Sequence, residues 1–306
     1  MIKVFGHYSP DTDSVCSAIV WAWYLTEHTT DKATPYSLGP INSETAFVLE
    51  HFQVPLPDTL TDLSAGERVA IVDTNNPQEL PATINETTLT YLIDHHKLVG
   101  GLSTESPTEI TIRPLACTAT VIFDLMDLSL EKLPSHIRSL LLCAILSDTL
   151  AFRSPTTTEH DIQVAKELAT SLELSIDDLV DKLFTAKSNV SHFSDSELLT
   201  LDSKKYVVGN KNLRVSVLET TKPEVVVARI DGLTTAMSEL IAEEADVDEV
   251  LLFIVDIINE EATVVTYNEL TKQIVEASFN VPSNNVTTVL PGIVSRKKQI
   301  LPALKL

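Results

Sequence analysis

Groups able to hold divalent cations recur in this chain wherever an apolar run ends. The run Ile2 to Phe5 opens into Gly6-His7-Tyr8-Ser9-Pro10-Asp11-Thr12-Asp13-Ser14, one imidazole and two carboxylates within a short loop. Val69 to Val72 runs into Asp73-Thr74-Asn75-Asn76-Pro77, and Leu89 to Ile93 runs into Asp94-His95-His96-Lys97. The apolar stretch Pro134 to Leu146 ends in Ser147-Asp148-Thr149. Imidazole and carboxylate donors without thiolate suit Mn²⁺, Mg²⁺, Co²⁺ or Zn²⁺ and exclude a structural cysteine-rich zinc site. His7, Asp11, Asp13, Asp73, His95 and Asp148 are more ligands than one ion uses while keeping an open position. They suit two ions if one carboxylate bridges. Bridged ions about 3.5–4 Å apart clamp both oxygens of an in-line phosphoryl displacement, and they bring a bound water's proton loss near neutral pH.

Taken singly, each residue has an ordinary reading. An Asp-x-Asp after an edge strand is commonly an exposed turn, His95-His96 can be one core and one surface histidine, and Asp148 can cap a helix. The joint pattern decides, because four apolar runs end in ligands. Carboxylates gathered this closely repel one another unless a cation neutralises them, so this edge is expected to be the least stable part of the first domain without metal.

The elements that must position these groups follow from the patterning. Uninterrupted apolar runs are the mark of parallel strands covered on both faces, and strands alternating with helices deliver their end residues to one sheet edge. Ser14 to Glu27 is apolar on nearly every face and reads as a buried helix. Tyr36 to Leu38 reads as a strand, Ser43 to Phe52 as a helix, and Ile110 to Pro114 as an edge strand. Cys117-Thr118-Ala119-Thr120 opens a helix reaching Leu128, and helical patterns continue over 134–146, 159–172 and 176–187. The polar, serine-rich stretch Ser188 to Ser196 reads as a hinge. Beyond it come strands at 205–208 and 213–218, a helix within 223–245, and strands at 250–258 and 263–267 that predict an antiparallel pair. The fold class is α/β: a parallel-sheet N-terminal domain over 1–187, the hinge at 188–196, and a smaller α+β C-terminal domain over 197–306.

The 306 residues suffice for two domains with real cores. A formal charge of −21 argues against general nucleic-acid or anionic-membrane binding, so a polyanion must meet a local cationic pocket. Arg296, Lys297 and Lys298, preceded by Pro291-Gly292, form such a cluster; alone it would read as a solvated tail, but in so acidic a chain it is a candidate phosphate clamp. Cys16, Cys117 and Cys143 cannot all pair and read as reduced core residues. No signal peptide and no membrane span are expected, and the chain reads as a soluble cytoplasmic protein.

These motifs resemble the DHH phosphoesterase superfamily and, within it, the family II, manganese-dependent inorganic pyrophosphatases. The resemblance runs through the GHxxPDxDS pattern at Gly6 to Ser14, the strand ending at Asp73, Asp94-His95-His96, Cys117 to Thr120, Ser147-Asp148, and SRKKQ at Ser295 to Gln299. It implies hydrolysis of pyrophosphate to two orthophosphates by a metal-bridging hydroxide, with the second domain closing over the first. It implies two Mn²⁺ or Co²⁺ per subunit, one held by His7 and Asp11, the other by Asp13, His95 and Asp148, with Asp73 bridging. His96 would contact the substrate and assist the leaving group, and Lys204, Arg296 and Lys297 would bind the terminal phosphate; spacing alone does not choose between Lys204 and Lys205. Asp94 would orient its neighbours. Mg²⁺ accompanying the substrate and a homodimer through the N-terminal domain are further implications. Where many members have His-Asn-Glu after the third aspartate, this chain has Thr74-Asn75-Asn76, which bears on metal tuning. The lack of a nucleotide-binding insert between Asp73 and Asp148 implies the short, unregulated form. A short-chain exopolyphosphatase or another DHH phosphoesterase is the same-class alternative. A catalytically silent metal- or phosphate-binding regulatory module is the alternative from another class.

Overall fold

The computed structural model describes residues 1–283 and 285–306, which form two compact units, Met1–Ala186 and Lys187–Leu306. The first unit is built on six parallel strands: β1 (Ile2–Phe5), β2 (Ala33–Ser37), β3 (Asp58–Thr59), β4 (Arg68–Val72), β5 (Thr88–Asp94) and β6 (Glu109–Ile112). Their order across the sheet is β3-β2-β1-β4-β5-β6. The chain therefore leaves β1 in one direction to build β2 and β3 and returns to the other side for β4 to β6. In such a doubly wound sheet the loops after β1 and β4 diverge and leave a crevice at the carboxyl edge.

Helices α1 (Thr12–His28), α2 (Ser43–His51), α3 (Thr118–Met126), α4 (Ser135–Asp148), α5 (Glu159–Ser171) and α6 (Ile176–Lys187) complete this unit. As its all-round apolar pattern requires, α1 is buried along most of its length and packs on α3 and α4. Leu140 to Leu146 of α4 are wholly buried. Each such aliphatic side chain contributes about 1.5–3 kcal/mol by leaving water. The end of α4, and Asp148 with it, is thus fixed by the core.

One register irregularity matters for the site. The β4–β5 ladder pairs Val69 with Leu89 but Ala70 with Tyr91, so Thr90 is an extra residue in β5, and its hydroxyl donates to the Val69 carbonyl at 2.6 Å. Downstream, Val72 lies beside Ile93, which brings Asp73 level with Asp94 instead of one residue short of it. A bulge re-aims side chains in this way.

The second unit is a mixed sheet of β7 (Ser203–Val208), β8 (Lys211–Thr220), β9 (Glu249–Asp256), β10 (Glu261–Val265) and β11 (Thr287–Pro291), ordered β11-β10-β9-β8-β7. The β9–β10 pair is antiparallel, as the sequence suggested, whereas β8 and β9 are parallel. Helices α7 (Asp195–Thr200), α8 (Pro223–Val227), α9 (Ile230–Glu243) and α10 (Glu269–Phe279) cover it. Most of the polar stretch 188–196 is tied into this unit. The Ser188 hydroxyl lies 2.8 Å from Thr221 Oγ1, and Arg229 donates to the carbonyls of Val190 and Phe193, both at 2.9 Å.

Candidate metal centre

His7 leaves the end of β1, where Gly6 is pressed against α1. A Cβ on Gly6 would sit 1.9 Å from Ser14 Oγ, and the same hydroxyl accepts from the His7 amide at 3.2 Å. Asp11 caps α1 by accepting from Ser14 N at 3.0 Å, and Asp13 lies in the helix's first turn, fully buried. Asp73 follows β4 with φ +63°, a left-handed conformation that aspartate tolerates better than most residues. Asp94, His95 and His96 come from the end of β5, and Asp148 is the last residue of α4.

These residues meet. His7 Nε2 is 3.4 Å from Asp73 Oδ2 and 3.7 Å from Asp11 Oδ2, while His95 Nε2 is 3.5 Å from Asp73 Oδ1 and 3.8 Å from Asp148 Oδ2. Among the described residues three groups have ligand atoms within 4.8 Å of one another, His7-Asp11-Asp73, Asp13-Asp73-His95-Asp148 and Asp73-His95-His96, and Asp73 belongs to all three. His95 Nδ1 bonds the Leu115 carbonyl at 3.0 Å and His7 Nδ1 the Tyr8 carbonyl at 2.9 Å. A carbonyl accepts only, so each Nδ1 carries the hydrogen and each Nε2 is left to ligate.

The electrostatics describe a site built for cations. Burial, followed by the charge of Asp73, pushes Asp13 up to about 7. Burial alone would lower both histidines, yet the hydrogen bonds to Asp73 and the surrounding carboxylates raise His7 and His95 to about 9. Burial alone would raise Asp73, but the two imidazoles hold it well below the usual carboxylate range. Protons thus supply the positive charge that these crowded carboxylates require. Asp148 adds to the demand, since a carboxylate at a helix C-terminus faces the negative end of the dipole. The hard oxygen and imidazole donors fit Mn²⁺.

His96 is half-exposed beside these groups. Its Nδ1 bonds Asp94 Oδ1 at 2.9 Å, and that oxygen also accepts the amides of His95 at 2.8 Å and His96 at 3.0 Å. The hydrogen bond to Asp94 raises the His96 pKa. The residues form one wall of a cleft of about 570 Å³ that Lys97, Glu79 and Thr156 also line. Those three carry no ligand spacing in the sequence. Within the Thr74-Asn75-Asn76 departure, Thr74 donates to Glu79 Oε2 at 2.7 Å, while Asn75 donates to Asp94 Oδ2 at 2.5 Å and accepts from the Val99 amide at 2.7 Å.

The cations of the second unit form a separate group. Arg296 donates to the Asp202 carbonyl at 3.0 Å and pairs with its carboxylate at 2.7 Å. Lys205 is paired with Asp246 at 2.8 Å and Glu244 at 3.0 Å. Lys204 sits beside Val215, whose face of the sheet also carries Ile300, just after the basic cluster. Strand alternation therefore puts Lys204 on the face of the sheet that Ile300 covers and Lys205 on the opposite face.

Comparison with known proteins gives the family. The DHH family N-terminal domain matches residues 1–145, and the DHHA2 domain matches residues 181–306. The manganese-dependent inorganic pyrophosphatase of Bacillus subtilis is 36% identical over 99% of this chain and 97% of its own. The chain belongs to the manganese-dependent inorganic pyrophosphatase family, with DHH and DHHA2 domains. A Deinococcus radiodurans protein assigned to the same family is 37% identical over all of this chain and 98% of its own. The crystal structure of a Methanococcus jannaschii protein assigned to the family II inorganic pyrophosphatases superposes with a TM-score of 0.64, at 32% identity over 99% of this chain and 98% of that one.

Proposed function

We propose that the protein is an inorganic pyrophosphatase that hydrolyses pyrophosphate to two orthophosphates with two Mn²⁺ ions. The observation that carries this reading is the pair of ligand groups joined by Asp73. His7 and Asp11 hold one ion, Asp13, His95 and Asp148 hold the other, and Asp73 bridges. The two ions supply the acidity that makes a hydroxide nucleophile of water at neutral pH and offset the charge of the phosphate oxygens. His96, tied through Nδ1 to Asp94, presents its other nitrogen to the substrate as a hydrogen-bond donor to the leaving phosphate. Arg296, Lys297 and Lys204 bind the terminal phosphate when the C-terminal unit closes over the ions, with the hinge at residues 188–196.

The resemblance to the family extends the proposal to Co²⁺ as an alternative ion, Mg²⁺ accompanying the substrate, a homodimer through the N-terminal unit and a cytoplasmic location. No helix among the described residues is long and apolar enough to cross a membrane. The acidity of the chain supports a small anionic substrate over nucleic acid.

The test is to measure bound metal and phosphate release on one Mn²⁺-loaded preparation, offering pyrophosphate, tripolyphosphate and a nucleotide ester. Two ions per chain and a strong preference for pyrophosphate are expected. Preference for the longer polyphosphate, or no hydrolysis with both ions bound, would overturn the proposal. Replacing the bridge, Asp73→Ala, is expected to remove activity and lower metal occupancy, and normal turnover in that variant would refute the bridging role.

A further inference from the structure

One short segment, Leu115 to Thr120, touches three of the four ligands in the Asp13-Asp73-His95-Asp148 group. The Leu115 carbonyl holds His95 Nδ1 at 3.0 Å. The Thr118 amide donates to Asp13 Oδ2 at 2.6 Å and the Ala119 amide to Asp13 Oδ1 at 3.0 Å, so the start of α3 grips both carboxylate oxygens. The Thr118 hydroxyl donates to Asp73 Oδ1 at 3.0 Å. Only the Asp73 contact reaches the group His7-Asp11-Asp73.

A single buried carboxylate holds this segment in place. Asp161, fully buried, accepts from the Ala116 amide at 3.1 Å and the Thr120 hydroxyl at 2.7 Å. The same side chain closes the capping box of α5, accepting from Thr158 N at 3.0 Å and Thr158 Oγ1 at 2.6 Å. Its oxygens thus bind the α3 segment to the first turn of α5 with four hydrogen bonds. The two bonds to Ala116 and Thr120 span 45 and 41 residues of sequence and bracket the groups that reach the ligands.

We infer that Asp161 is a positioning residue for one of the two ions. Acting through residues 115–120, it sets the separation of Asp13, His95 and Asp73 Oδ1, and so the affinity of the Asp13-His95-Asp148 position, with little effect on the His7-Asp11 position, which faces Asp73 Oδ2. The inference rests on the two-ion reading above. Groups that orient metal ligands in this way typically contribute about 10–100-fold to metal affinity. In Asp161→Ala both acceptor oxygens are lost, so the Ala116 amide and the Thr120 hydroxyl lose their acceptor and the segment loses its anchorage to α5.

The experiment is a two-class Mn²⁺ titration, with free ion followed by electron paramagnetic resonance, on the full chain and on Asp161→Ala and Thr120→Val. The unmodified protein must show two bound ions; if it does not, the proposed function fails and not this inference. Asp161→Ala is expected to weaken one class about 10–100-fold and leave the other within about threefold. Thr120→Val, which removes one bond and keeps the side-chain shape, is expected to weaken the same class by a smaller factor. Raising Mn²⁺ to saturate the weakened class is expected to restore turnover. Equal weakening of both classes would show general loosening and overturn the assignment, as would unchanged affinities in both variants. Should Asp161→Ala fail to fold, Thr120→Val alone decides by the same two criteria.

Discussion

Because the ligands carry protons when no metal is bound, metal affinity must rise with pH, and it must rise differently for the two ions. His7 and His95, each raised to about 9, are protonated at pH 7, and each must lose its proton before Nε2 can ligate. That competition weakens each ion at pH 7 by about 10², or about 2.7 kcal/mol. Between pH 6 and 7, affinity at the His7-Asp11-Asp73 position should rise about tenfold. The other position also contains Asp13, raised to about 7, so two protons leave over the same interval and affinity should rise about fifty-fold. Between pH 7 and 8 the two gains converge, to about tenfold and about fifteen- to twentyfold, because Asp13 is then mostly ionised.

Mn²⁺ titrations at pH 6, 7 and 8 check the slopes. Calorimetry in two buffers of different ionisation enthalpy counts the protons directly: about one released with one ion and about one and a half with the other at pH 7. Affinities independent of pH from 6 to 8, or identical slopes at the two positions, would refute the account of which groups hold the protons. The same groups fix the sign for the metal-free chain. Asp13, raised above its unfolded value of 3.8, contributes stability in acid that is lost as pH rises through about 7. His7 and His95 contribute stability present below 6.5 and lost as pH rises through about 9.

Metal-free protein should therefore show a thermal midpoint that falls from pH 6.5 to 9, while Mn²⁺-loaded protein does not; a midpoint that rises in the metal-free state would contradict the sign. Lys297→Ala is expected to leave metal content intact and to weaken pyrophosphate binding and turnover, which paired metal analysis and kinetics would report. Lys204→Ala should resemble it and Lys205→Ala should not, because Lys205 is committed to Asp246 and Glu244; the reverse ranking would place the wrong lysine on the phosphate. In Gly6→Ala the new methyl group meets the Ser14 hydroxyl, so denaturant titration should show a loss of about 1–3 kcal/mol together with weaker Mn²⁺ binding.

Much of the centre was legible in the sequence for one physical reason. A parallel strand buried on both faces is an uninterrupted apolar run, so its carboxyl end is sharply marked, and His7, Asp73 and His95 stand just past those marks. The helix ends behaved similarly at Asp148. What could not be read are the relations between elements distant in sequence. Thr158-x-x-Asp161 is readable as a helix start, but its second use as acceptor for Ala116 and Thr120 depends on where α5 lies beside α3. The extra residue at Thr90, which brings Asp73 level with Asp94, has no compositional signature. Adjacent strand residues face opposite ways, so what spacing could not say is which of Lys204 and Lys205 shares the face of Val215, and the register of β7 on β8 shows that it is Lys204. The polar stretch 188–196 reads as a linker by composition, yet Ser188, Val190 and Phe193 bond to the second unit.

The backbone around the ligands is consistent with a site shaped against local preference. Asp73 is left-handed, and just after Asp148 the three residues Leu150, Ala151 and Phe152 all have positive φ, at 47°, 52° and 70°. A left-handed residue other than glycine costs roughly 1–2 kcal/mol. The turn persists because its bonds return to α4 and the residue that caps it: Ala151 N donates to the Leu146 carbonyl at 2.9 Å, and Ser154 N to the carbonyl of Thr149, the C-cap, at 2.8 Å. The chain thus reverses immediately beyond Asp148 and brings Thr156 back to the same cleft. Ala151→Gly isolates the cost of this geometry, since the removed methyl group is the source of the steric penalty. The variant is expected to gain about 1 kcal/mol or slightly less, because glycine's greater unfolded freedom offsets part of the relief. Urea unfolding of the metal-free protein would measure it. A loss of stability instead would mean that the Ala151 side chain is held by packing stronger than the strain, and that the left-handed turn is not a reservoir of strain at the metal centre.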